Sequence, residues 1–254
     1  MIFLPLEVWQ LILDTCSLPC QLSIITLCKL FYQRLKITDF YHIDDLYKIK
    51  LNNSILQKYK NIKHLDLSRN KYITNNGIKH LNLHTLNVSN NGKITDEGLK
   101  HMNLKILVAK GKNCRITDNG IKYMNLEQLY VAFNNKITDE GIKQMDLQVL
   151  DASCNKHITD EGVKHMNLQV LHINFLSGIT NNGLKLMKLN TLHVCYNKEI
   201  TDEGLKHLKL HTLSVKESTN ITDQGINDMN LCNLDASGLI RITDQGMVVK
   251  PPNI

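Results

Sequence analysis

Residues 147–167 read LQVLDASCNKHITDEGVKHMN, and these 21 residues decide the fold because the chain repeats them. Their second half carries the motif I-T-x-x-G, which occurs nine times, with glycines at Gly77, Gly98, Gly120, Gly141, Gly162, Gly183, Gly204, Gly225 and Gly246. Successive glycines are separated by 21, then 22, then 21 residues throughout. A fixed period of this length marks a solenoid, in which one unit cannot bury its apolar face alone but a stack can. The first half of the unit carries L-x-x-L-x-[LVAI], as in Leu83/Leu86/Val88, Leu126/Leu129/Val131, Leu168/Leu171/Ile173 and Leu210/Leu213/Val215. Side chains alternate across a strand, so the last two apolar positions point into a core and the residue between them points to the open face.

Each strand is followed by an asparagine slot, filled by Asn70, Asn91, Asn113, Asn134, Asn155 and Asn197. A buried asparagine there can bond the backbone of the neighbouring turn, so stacked copies form a ladder. Leu176, Ser218 and Leu239 depart from it and predict looser turns. The segment T-D-E-G-[LI]-K-x-M then reads as a short helix, with threonine as N-cap and acidic residues in its first turn. Asp96 with Lys100 and Asp139 with Lys143 are placed for weak pairing four residues apart. Asn82, Asn103, Asn125 and Asn167 close their units and suit a left-handed helix end. Parallel strands inside and short helices outside predict an α/β solenoid.

The consensus L-x-x-L-x-L-x-x-[NC]-x-x-I-T-D-x-G-L resembles the cysteine-containing class of leucine-rich repeat, with asparagine in the cysteine slot. The resemblance covers residues 62–247. It implies a leucine-rich-repeat solenoid that holds another macromolecule, and the short unit implies a curvature different from that class. A less regular unit over residues 41–61 is expected to precede it, with Leu46, Ile49 and Leu51 as its strand, and residues 248–254 form a short end. Pro251 and Pro252 there block further pairing.

Residues 1–40 do not carry the repeat. Leu6, Trp9 and Leu13 follow Pro5 at helical spacing, Pro19 interrupts, and a second helix is expected over 21–35. This segment resembles an F-box, which opens with Leu-Pro-x-Glu and ends near a cysteine-lysine-aromatic stretch; Leu4, Pro5, Glu7, Ile12, Leu27, Cys28 and Phe31 match those places. Residues Cys16–Cys20 depart from the family. An F-box followed by such repeats resembles the substrate adaptors of ubiquitin ligases. That resemblance implies that Leu4, Pro5, Leu6, Trp9, Ile12, Leu27, Cys28 and Phe31 dock on a Skp-type linker subunit of a cullin–RING ligase while the repeats hold a target protein. The other reading is a non-catalytic scaffold or inhibitor whose N-terminal helices only cap the stack.

Composition sets the class. Hydrophobic residues are 43% and charged residues 21%, enough to fold. The net charge of +6 is a mild excess, so nucleic-acid binding is not favoured. Seven cysteines in spacings that fit no disulfide or zinc framework point to a reducing, intracellular setting, cytoplasmic or nuclear. The apolar N-terminus lacks the basic leader of a signal peptide, and no run approaches the ~18 apolar residues of a membrane span. The Asn-, Lys- and Ile-rich composition resembles the product of an AT-rich genome such as that of a giant DNA virus, which would place the protein in the host cytoplasm.

Several residues recur in columns. The methionines Met102, Met124, Met145, Met166, Met187 and Met229 are read as packing between helices. Lysines from Lys79 to Lys206 and aspartates from Asp96 to Asp202 are read as a solvated convex face, with phosphate binding by the lysines as the alternative. His80 and His101 occupy equivalent places and are read as exposed. No catalytic constellation, cofactor motif or metal set stands out. The open-face column is not repeated: Asp66, Asn87, Val108, Tyr130, Asp151, His172, His193, Ser214 and Asp235, flanked two residues past the core by Phe133, Cys154, Phe175, Tyr196 and Glu217. Tyr130, Phe133, Asp151, His172, Phe175, His193 and Tyr196 are therefore the candidate target-binding residues, since exposed aromatics grouped with polar residues make binding hot spots.

Overall fold

A computed structural model of the chain describes residues 51–239 and 241–243, together with Gln10, Leu13, Cys20, Gln21, residues 38–41 and Lys48. The ligase-docking candidates Leu4, Pro5, Leu6, Trp9, Ile12, Leu27, Cys28 and Phe31 lie outside these residues, as do Leu46, Ile49 and the C-terminal prolines. Ten parallel strands form one curved open sheet in sequence order. They are β1 (Asp39–Phe40), β2 (His64–Asp66), β3 (Thr85–Asn87), β4 (Ile106–Val108), β5 (Gln128–Tyr130), β6 (Val149–Asp151), β7 (Val170–His172), β8 (Thr191–His193), β9 (Thr212–Ser214) and β10 (Asn233–Asp235). Between them, one-turn helices of four residues alternate, from α1 (Asn53–Leu56) through α5 (Asp139–Ile142) to α9 (Asp223–Ile226).

The registers place equivalent residues side by side: Leu65, Leu86, Leu107, Leu129 and so on pair in turn. From β2 to β9 these leucines and the apolar residue after each strand are fully buried in one continuous core with the helix residues Ile78, Leu99, Ile121 and Ile142, while Leu234 and Ala236 of the last described unit are only partly buried against it. The methionine column packs against that core, as its spacing predicts. The strand expected around Leu46, Ile49 and Leu51 is not where the stack begins. β1, at Asp39–Phe40, pairs with β2, and Leu51 is a buried residue just before α1, in the place that isoleucine holds in I-T.

The asparagine ladder forms. Asn155, fully buried, donates from Nδ2 to the carbonyls of Asn134 and Ile137 at 2.9 and 3.0 Å, and its Oδ1 accepts from the His157 amide at 2.9 Å. Asn134 does the same one unit earlier with Ala109 and Ile116. Asn113 does not hold the slot that spacing assigned to it. The one extra residue of that unit pushes it to the surface, and Cys114 is buried in its place. Burial pushes the Cys114 thiol up, while backbone N–H groups of Ile116 and Arg115 partly offset this. Ser218 substitutes for asparagine by bonding the Val194 carbonyl and accepting from the Asn197 amide, so that turn is not loose. Leu176 cannot, and turns outward, 51% exposed.

Two local pairings differ from the spacing argument. The helix lysines do not meet the aspartates four residues before them; Lys100, Lys143, Lys164 and Lys206 instead pair with Glu97, Glu140, Glu161 and Glu203. The aspartates are turned toward the next unit and are half-buried. Asp139 Oδ1 accepts from the Thr159 amide at 2.7 Å and Oδ2 from its hydroxyl at 2.6 Å. Asp96, Asp118, Asp160 and Asp202 grip Thr117, Thr138, Thr180 and Thr222 likewise. Where asparagine replaces aspartate, at Asn53, Asn75 and Asn181, its amide donates to the threonine hydroxyl instead.

This exchange of donor and acceptor reaches the helix cap. A carboxylate only accepts, so the threonine donates its proton and keeps a lone pair for its own helix. Thr117, Thr138, Thr159, Thr180 and Thr222 accordingly accept from the N–H two residues on. Thr74, Thr95 and Thr201, which face asparagine, make no such bond.

The same contact explains the glycine. A Cβ on Gly162 would sit on the Asp139 carboxylate, and one on Gly141 would sit on that of Asp118. Close approach, not a special backbone angle, demands glycine there. Gly162→Ala is expected to destabilise the protein by about 1–3 kcal/mol through overpacking. In an Asp139→Ala background that penalty is expected to shrink, giving a double-mutant cycle with a coupling energy of roughly 1 kcal/mol or more. Urea unfolding of the parent, both single variants and the double variant measures it; additive effects would show that the carboxylate is not what excludes a side chain.

Candidate functional site

The sheet's open face and the strand-to-helix turns beside it carry the residues that do not repeat. Each turn holds one residue in the left-handed region: Arg69, Asn90, Phe133, Cys154, Phe175, Tyr196 and Glu217 at φ 52–61°, with Gly111 and Gly238 in the equivalent places. The turn is forced by the stack. The Phe175 amide donates to the Cys195 carbonyl at 2.8 Å and the Tyr196 amide to that of Lys216 at 2.7 Å. Asn82, Asn103, Asn125 and Asn167 do not take this conformation, contrary to expectation, because the helix ends run on in right-handed geometry at lysines such as Lys143. Glycine holds left-handed angles at less cost than any side chain. Aromatic residues held there point to a use for the side chain.

Phe175 and Tyr196 stack with ring centroids 5.1 Å apart and planes at 5°, while 45% and 43% exposed. The outward Leu176 stands beside Phe175. Phe133 is equally exposed, at 45%, but Cys154 intervenes between it and Phe175. The seven candidates thus divide. Phe175 and Tyr196 form an apolar cluster with Leu176 at the sheet's edge, Phe133 stands two units away, and Tyr130, Asp151, His172 and His193 lie on the sheet itself. The exposed Tyr72, Tyr123 and Leu186 lie in units that are not adjacent and make no comparable group.

On the sheet, the His172 and His193 rings stack at 4.3 Å and 1°. His80 and His101 are exposed, as expected. Asp151, nearly buried, accepts from the Lys110 ammonium at 2.6 Å, across two units. Lys110 also lies 5.2 Å from the centroid of the Tyr130 ring, a cation–π distance. A hollow of ≈ 550 Å³ continues this face toward β1, lined by Asp39, Tyr41, His64, Ile106, Lys110 and Tyr130. Lys110 and Leu176 were not among the sequence candidates. Leu176 announced itself as one of two leucines, with Leu239, in an asparagine column, whereas Lys110 shares its column with serines and gave no signal.

Burial lowers the His172 pKa from its ordinary value, and the neighbouring His193 and Lys110 add to this while Asp151 opposes it. Burial likewise lowers that of His193, with Asp151 and Asp235 opposing. Among the described residues, no group of three or more His, Cys, Asp or Glu could hold a metal ion, and no helix is long and apolar enough to cross a membrane.

The profile of the family described as "Leucine Rich repeat" matches residues 60–81, 79–102, 123–145, 143–166 and 185–209. The matched units are leucine-rich repeats. Such repeats are typically non-enzymatic, protein-binding scaffolds. No curated protein matches the chain. Among solved structures, the chain is similar to one in the "Crystal structure of Rad7 and Elc1 complex in yeast", at 18% identity and a TM-score of 0.38, over 94% of this chain and 92% of that one.

The paired histidines give the leucine-rich repeats a testable pH response. Both bind fewer protons folded than unfolded, so stability rises with pH across their titration. It is expected to be fully present above the ordinary histidine value near 6.5 and to fall as pH drops below it, toward the lowered folded values. Thermal melts between about pH 7.5 and pH 5 should show a smaller loss for His172→Gln than for the parent; identical slopes would show that the stack does not titrate in this window.

Proposed function

We propose that this protein is a non-catalytic adaptor that captures a target protein on the inner face of its leucine-rich repeats and the turns beside it, inside the cell. The observation that carries the reading is the cluster of Phe175, Leu176 and Tyr196, exposed side by side on turns where glycine would be easier to hold. Aromatic anchors beside polar groups such as Asp151, His172 and His193 supply the desolvated centre and oriented hydrogen bonds that hot spots use. Tyr130 and Phe133 extend the surface. The finer part of the proposal is that residues 1–40 act as an F-box and dock on a Skp-type linker of a cullin–RING ligase, so that the captured target is modified by proximity. The sequence match at Leu4, Pro5, Glu7, Ile12, Leu27, Cys28 and Phe31 supports it.

A second reading, a scaffold whose N-terminal helices only cap the stack, is favoured by Leu13. That residue is fully buried in the same apolar cluster as Phe40, Leu51 and Leu56, as a cap residue must be. The five described cysteines, Cys20, Cys114, Cys154, Cys195 and Cys232, are free thiols, in keeping with a reducing compartment.

Two experiments separate these readings. Purified parent is expected to bind a Skp-type linker subunit, and a still-folded Leu4→Ala/Pro5→Ala/Trp9→Ala variant to lose that binding. No binding by the parent across linkers from several hosts would leave the capped scaffold. Phe175→Ala/Tyr196→Ala is expected to abolish target capture with a melting temperature close to the parent's, because alanine inherits the same backbone angles and bonds. Undiminished capture by that variant would remove the aromatic cluster from the proposal.

A further inference from the structure

The turns leading from each strand to the next helix make one edge of the solenoid, and its chemistry changes along its length. Toward the β2 end, Arg69, Lys71, Lys93, Lys112, Arg115 and Lys136 line a groove of ≈ 740 Å³. All six are exposed, and the other lining residues are asparagines and a glycine, so no carboxylate faces the groove. None of the six forms an ion pair among the described residues, whereas four of the convex lysines each hold a glutamate. Lys136 is steadied by the carbonyls of Lys112 and Cys114, and its charge stays uncompensated. Six like charges gathered without a counter-charge repel one another, and an anionic occupant relieves this.

The positive stretch is bounded. The position held by Lys136 is held three units later by Glu199, and the position of Arg69 is held later by Glu217. Four units at a strand spacing of about 4.8 Å give a site roughly 15 Å long, enough for about five residues of extended chain. A nucleic acid draws affinity from many phosphates tracked along a continuing stripe, which this edge does not offer.

We propose that this groove is a binding site for an acidic protein segment, rich in aspartate or glutamate. It is distinct from the sheet's inner face and from the lysine column on the helices. A segment seated in it would run along the edge toward Phe133, but the groove's own affinity does not depend on the aromatic cluster. A probe with no apolar residue therefore tests it alone.

The test is fluorescence anisotropy with the full chain and a labelled hexaglutamate peptide. The parent is expected to bind, and Lys71→Glu/Lys93→Glu/Lys112→Glu to bind more weakly by on the order of tenfold or more. Lys79→Glu/Lys100→Glu/Lys185→Glu makes the same change in net charge on the helices and is expected to bind as the parent does. The Lys71→Gln/Lys93→Gln/Lys112→Gln variant, which is neutral at the three positions, is expected to fall between and guards against misfolding of the reversed one. Three results would overturn the proposal: no binding by the parent, equal loss in the groove and helix variants, or tighter binding of single-stranded oligothymidylate than of the peptide, with loss in the groove variant.

Discussion

The structure depends on a carboxylate or amide at the first position of each one-turn helix reaching across to the next unit. Asp139 holds both the amide and the hydroxyl of Thr159 and occupies the space where a side chain on Gly162 would begin. Three of the most regular letters in the repeat are therefore one contact, seen from two neighbouring units. The contact also fixes the spacing of the helices, whose four residues are far too few to be stable alone. With the helices held, the buried asparagines can reach the carbonyls of the preceding turn and the leucines can close the core.

Much of this was legible because periodicity is a strong signal. Strand positions, buried leucines, the methionine column and the asparagine ladder follow from alternation and spacing. The aspartates were misread because residues four apart on an isolated helix are neighbours, and nothing within one unit reveals a partner in the next. Asn113 was misassigned for a related reason. A 22-residue step shows that one residue is extra but not which one leaves the ladder, and the burial of Cys114 decides it. The left-handed turns were sought at asparagines, where residue preference favours them, yet the stack imposes them on phenylalanine and tyrosine through backbone bonds to the following unit.

The candidate site was legible as columns but not as contacts. Alternation correctly placed His172 beside His193 and Phe175 beside Tyr196, since equivalent residues in adjacent units must be close. It could not find Lys110 against Asp151, which joins different positions of units two apart. The basic groove escaped for the same reason, since its six cations come from several positions of the unit and no single column displays them.

The lock between units has one further consequence, for the gene. Every unit with the I-T-x-x-G motif offers the same acidic or amide group forward and the same threonine and glycine backward, so excising or duplicating such a unit rejoins partners that already fit. Unequal recombination between such repeats changes the length of the arc and the order of its variable side chains without a new folding problem. The inner face can thus be resized and reshuffled by copy number, while the rest of the protein stays chemically the same.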